Sequence, residues 1–416
     1  GGGARTATTS GSSTSPTGRS AATAVPGSPD AGTQRREQAL IAVLAERSRA
    51  AERGDRAGWL GPLAAGLRPA QADVLTRMRA MGVTGLSVTG VTETRAPEPT
   101  AGGGSSWRAI ASFSYRLAGF DTTPRTFAVD LTVSESPSRP GMPTITQWVP
   151  SERPEPWDLA GLRVRRTDTA LVLVVGTAAR VDEIVARARS AARRVAAVWG
   201  TSRPSVWVAP ARDSDAAHLL GRDPSGISGV AAAVDGPLVP GSPAGADRIV
   251  IIPGPWESLS APGRDVVLTH ELTHATVRAS TTHSVPVWLS EGFAEYVAYR
   301  DVTLPERAVV RPALDAFRRD GLPPALPTDA DFDPAHGRLQ AAYGSALLLA
   351  RTIARDGGTA GLVRVYRDVA DPPPVWNVPP DDAEARFDAA LVHDLGTDRA
   401  GLLAGWRARI RSLLAQ

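Results

Sequence analysis

Six histidines and no cysteine limit where chemistry can sit in this 416-residue chain. Without cysteine there are no disulfides, no thiolate ligands and no cysteine nucleophile. Two of the histidines are four residues apart with a glutamate beside the first: His270, Glu271 and His274, in the run HELTH. On a helix, residues four apart share a face, so both imidazoles converge on one point. Two neutral imidazoles at that spacing grip a zinc ion, and Glu271 then sits beside the open coordination position. A second apolar segment, Trp288 to Tyr296, carries Glu291, which can supply a third ligand. Glu295 lies one turn further along the same face, placed to accept the second ring N–H of a metal-bound histidine. Zn2+ is therefore the expected cofactor. The competing account is an ordinary amphipathic helix with two satisfied histidines. Val266, Leu268, Leu272, Ala275 and Val277 argue against it. They make the helix mostly buried, where two imidazoles and a carboxylate without a shared partner are costly.

Positioning these groups takes two neighbouring helices and a frame behind them. Pro286 breaks the chain before a helix starting near Val287. His283, in the intervening loop, is less fixed than a helix residue and is not expected to be a ligand. His218, isolated before a Gly-rich turn, reads as a surface histidine. Upstream, Leu162–Arg165 and Ala170–Val175 read as a strand pair. Val181–Trp199 reads as a helix with one apolar side, Val206–Val208 as the next strand, and 229–234 and 248–252 as two more. The 229–234 strand, or the strand before the HELTH helix, is a candidate edge for pairing with a peptide backbone. Beyond Arg300, a helix over 341–354 is expected to end at Gly357-Gly358. Further helices over 359–416 complete a helical C-terminal subdomain.

The expected organisation has three parts. Residues 1–34 are Gly, Ser, Thr, Ala and Pro with few large apolar groups. They read as a disordered tether, because such a segment cannot bury enough surface to offset its ordering entropy. The start at Gly1 without an initiator Met is what a processed or trimmed form would show. Residues 35–150 read as a separate α+β unit. Arg36–Arg53 is its first helix, and strands follow at 83–88, 107–117, 127–133 and 145–149. Helices followed by an antiparallel sheet resemble a cystatin/NTF2-like cone. The unit contains no His; an accessory role is the first expectation and a ligand pocket the second. Residues 151–416 carry the metal motif. Every basic residue is Arg, and the formal net charge is only +3. The arginines lack interleaved aromatics for base stacking, so no nucleic-acid partner is expected. No apolar run reaches the roughly 18–20 residues of a membrane span.

The combination HELTH…WLSEGFAEY resembles the gluzincin metallopeptidases, in the peptidase MA-like branch found in actinobacterial envelope proteins. The match is specific over Thr269–Tyr296 and looser over Trp157–Trp406. The resemblance implies an α+β fold in which a small mixed sheet and a helical C-terminal subdomain flank the zinc helices. It implies His270, His274 and Glu291 as zinc ligands, Glu271 as general base and Glu295 as the group orienting a ligand histidine. In similar proteins a tyrosine at the place of Tyr343 faces the cleft, which makes Tyr343 the candidate oxyanion donor; the competing account is a core aromatic at a helix entry. The implied activity is zinc-dependent peptide hydrolysis on a peptide or protein substrate. It would be carried by a monomer outside the cell or at the envelope, with a membrane tether through the N-terminus as in a lipoprotein. A GxMEN-like exopeptidase motif is missing, so nothing supports aminopeptidase specificity. The alternative is a non-catalytic, zinc-containing envelope scaffold or binding protein.

Overall fold

The computed structural model describes residues 29–227 and 229–416. Most of the expected tether lies outside them, but its last residues are helical. Asp30 accepts the Thr33 N–H at 2.7 Å and starts α1 (Ala31–Arg53) more than a turn before the expected Arg36. A side-chain cap, invisible to apolar periodicity, accounts for the earlier start. Gly54, at φ 70°, ends α1 in the left-handed conformation that glycine adopts freely.

After α2 (Arg68–Met81) come β1 (Val83–Pro99), β2 (Ser105–Leu117), β3 (Arg125–Glu135) and β4 (Thr144–Pro150), an antiparallel sheet in chain order. β1 runs well past the expected Val83–Val88. Its distal half is polar and largely exposed, and backbone pairing with β2 through several register shifts holds it there. Apolar residues of α1 and α2, such as Leu40, Leu44, Leu75 and Met78, join the buried residues of this sheet in one core.

The second sheet consists of β5 (Leu162–Arg166), β6 (Ala170–Val175), β7 (Ser205–Ala209), β8 (Ala232–Asp235) and β9 (Arg248–Ile251), in the order β5-β6-β7-β9-β8. It is mixed: β6, β7 and β9 run parallel, and β5 and β8 pair antiparallel at the two edges. β6 reads as a continuous apolar run because both of its faces are covered. Val172 and Val174 face α3 (Ala178–Trp199), while Leu171 and Leu173 join the core of the first sheet. The expected boundary at 150/151 falls between β4 and β5, yet apolar residues from both sides of it pack in one cluster. Trp157 stands edge-on to Tyr115 and Phe127, at 4.8 and 5.1 Å between ring centres. Arg248 on β9 forms a two-pronged ion pair with Asp121 at 2.6 and 2.8 Å.

On the α3 side lie α4 (Ala261–Ser280), α5 (Val287–Tyr299), α6 (Leu339–Ala370) and α7 (Arg399–Leu414). The expected stop at Gly357-Gly358 is a break rather than an end. Gly358 takes φ 72°, and the helical run resumes at once to Ala370. The fold is thus mixed α and β with two open sheets. Among the described residues no helix is long and apolar enough to cross a membrane.

Candidate metal centre

Ser260 caps α4 by accepting the Gly263 N–H at 3.1 Å. Leu268, Leu272 and Ala275 belong to the same core as Trp207 and Ile249 of the second sheet, which fixes the rotation of the helix. His270 and His274 therefore emerge together toward α5. Trp288, Leu289, Phe293 and Val297 are buried and hold α5 in the same core. Gly292 lets α6 close on α5: a Cβ there would stand 2.5 Å from the Ala346 carbonyl oxygen.

Three donor atoms from these two helices meet. His270 Nε2 is 3.0 Å from Glu291 Oε2 and 3.0 Å from His274 Nε2, and His274 Nε2 is 3.1 Å from Glu291 Oε2. His270 Nδ1–H donates to Glu295 Oε1 at 2.7 Å, which leaves the Nε2 of a neutral ring with a lone pair. Lone pairs then face one another across the triangle, an arrangement that repels unless a cation or a shared proton lies among them. Tetrahedral zinc with ligands at 2.0–2.1 Å sets its ligand atoms roughly 3.3–3.4 Å apart. The observed edges are within a few tenths of an ångström of that. His270, His274 and Glu291 can hold a metal ion.

Burial alone would depress the His270 imidazole, but hydrogen bonds to Glu291 and Glu295 hold it well above its usual range. Burial alone would raise the Glu291 carboxyl, but the two imidazoles hold it far below the ordinary carboxylate range. Metal binding must displace the His270 proton. Glu271 projects beside the triangle. Burial raises its carboxyl, which the imidazoles and the backbone N–H of Val234 partly offset. Of the two strands considered as peptide edges, β9 is paired on both sides, which leaves β8.

Tyr343 lies in the first turns of α6, its ring centre 5.7 Å from that of His270. Burial, with Glu291, Glu271 and Glu295 close by, pushes its phenol up, so it stays protonated. His283 is turned away, with Nδ1 3.0 Å from the Ala370 carbonyl oxygen. His218 is exposed on a short helix. Two residues escaped the sequence reading. The Ser290 hydroxyl is 3.4 Å from His274 Nδ1, and buried Tyr366 lies close to Ser290. Ser290 adjoins the ligand Glu291, but Tyr366 carries no local signal.

No known family model matches the chain, and no match is found among curated proteins.

Proposed function

We propose that the protein is a zinc metalloendopeptidase of gluzincin type, with His270, His274 and Glu291 as zinc ligands. The observation that carries this is the closed triangle of donor atoms, 3.0–3.1 Å on each edge, with the Glu271 carboxylate beside it. Zinc, when bound, supplies Lewis acidity that polarises a carbonyl and makes water acidic near neutral pH. Glu271 takes a proton from the attacking water and returns it to the leaving amine. Its raised carboxyl suits an acid–base role, and the Val234 N–H lies on its side of β8. Glu295 fixes the ring of His270, and Tyr343 donates its hydroxyl to the developing oxyanion.

β8 is the edge against which a peptide pairs. Its pairing with β9 runs through Ala233 and Asp235, so Val234 presents its backbone outward, toward Glu271. An extended substrate laid on β8 passes close to that carboxylate.

The helices and antiparallel sheet of residues 35–150 support assigning them as a cystatin/NTF2-like accessory unit, with residues 151–416 as the peptidase. The Gly/Ser/Thr/Pro-rich composition of residues 1–34 supports placing the activity at the envelope. The test is Glu271→Gln, with zinc content and cleavage of a peptide library measured together. The variant should keep one zinc per chain and lose hydrolysis. Undiminished cleavage, or chelator-insensitive cleavage by the parent, removes the reading.

A further inference from the structure

The first sheet and the helices over it enclose a small cavity of about 10 Å3, lined by Arg47, Trp59, Gln71, Phe113 and Trp148 among others. That is room for one water-sized particle. Arg47 is 1% exposed. Its Nε donates to the Trp59 carbonyl oxygen at 2.9 Å and its Nη2 to Gln71 Oε1 at 2.5 Å. The guanidinium carbon lies 3.4 Å from the ring centre of Trp59 and 4.2 Å from that of Trp148.

A guanidinium has five N–H donors and keeps its charge in proteins. These two hydrogen bonds leave Nη1 without a protein partner among the described residues. Among the described residues no carboxylate pairs with Arg47, whereas buried Arg125 and Arg248 each pair with an aspartate at 2.6 Å. Burial acts against the charge of Arg47. An isolated cation in an apolar pocket is costly unless something negative joins it. The two indole faces offset part of that cost but leave the free N–H groups unmet.

We propose that Arg47 and this cavity form a binding site for a small monovalent anion of halide size. One uncompensated positive charge calls for one negative charge. The volume excludes tetrahedral oxyanions such as sulfate. The aromatic walls exclude a hydrated ion, and the free N–H donors replace its lost water. The site lies away from the metal centre and does not depend on the peptidase reading.

The test uses the full chain at constant ionic strength in sodium sulfate, with sodium bromide exchanged in. The Tm of the parent should rise saturably with bromide, and that of Arg47→Met should not. Crystals of the parent soaked in bromide should show anomalous density in hydrogen-bond range of the guanidinium. This map decides the matter even if Arg47→Met fails to fold. A water in place of the halide beside Arg47, or equal bromide responses in a folded variant and the parent, overturns the proposal.

Discussion

Replacing Glu295 isolates the group that holds a proposed zinc ligand without touching the metal. Glu295 Oε1 accepts from His270 Nδ1–H at 2.7 Å, between side chains 12% and 8% exposed. A hydrogen bond to a charged group in such a place contributes about 1.5–3 kcal/mol. Each 1.4 kcal/mol is about a factor of ten, so Glu295→Ala should weaken zinc binding by roughly 10- to 100-fold. That is also the usual cost of losing a group that orients a metal-bound histidine. Glu295→Gln keeps an acceptor without the charge, and its loss should be about tenfold. Competition against a chromogenic chelator reads these affinities. One pH must be used throughout, because the His270 proton competes with the metal. Circular dichroism and the Tm of the metal-free variants check that the fold survives. If folded Glu295→Ala holds zinc within twofold of the parent, Glu295 does not position His270.

Three further expectations follow from other contacts. Gly292→Ala would set a Cβ 2.5 Å from the Ala346 carbonyl oxygen; parting α5 from α6 should cost about 1–3 kcal/mol and weaken zinc binding through Glu291, and an unchanged Tm and affinity would show that the helices absorb the methyl. Val234→Pro deletes the N–H facing Glu271 on an edge strand, where proline is tolerated; peptidase turnover should fall with zinc retained, and full turnover would remove β8 from the mechanism. Burial, helped by the Glu155 charge, raises the Asp158 carboxyl from 3.8 to about 7. The folded state therefore binds more protons than the unfolded state between those values, and stability falls as pH rises through that window. Asp158→Asn keeps an acceptor for the Glu155 N–H, now 2.8 Å from Asp158 Oδ2. It should flatten the decline and raise the Tm at pH 8, and parallel Tm profiles for parent and variant would refute this.

The sequence by itself determined the parts of the centre that lie on single helices. His270 and His274 are brought together by the helical repeat, and Glu291 and Glu295 share a face for the same reason. The strands with clean alternation or continuous apolar runs, β3 and β6, were legible because each buries its side chains in a simple pattern. The start of α1 was not, because an aspartate cap rather than an apolar residue sets it. The outer half of β1 was not, because backbone pairing with β2 and the ion pair of Glu93 with Arg36, rather than an apolar face, hold it.

Tertiary structure decided everything that joins distant stretches of chain. Periodicity says which face of an element avoids water, but not which element covers that face. The pairing of β8 with β9 is what turns Val234 toward Glu271 and makes β8 the edge. Packing of α6 brings Tyr343 beside His270 and Tyr366 to Ser290. Leu171 and Leu173 look local in sequence, yet they complete the core of a sheet that ends before Ser151. Arg47 is one arginine among 46, and only the closing of two helices over a sheet buries it without a counter-charge among the described residues.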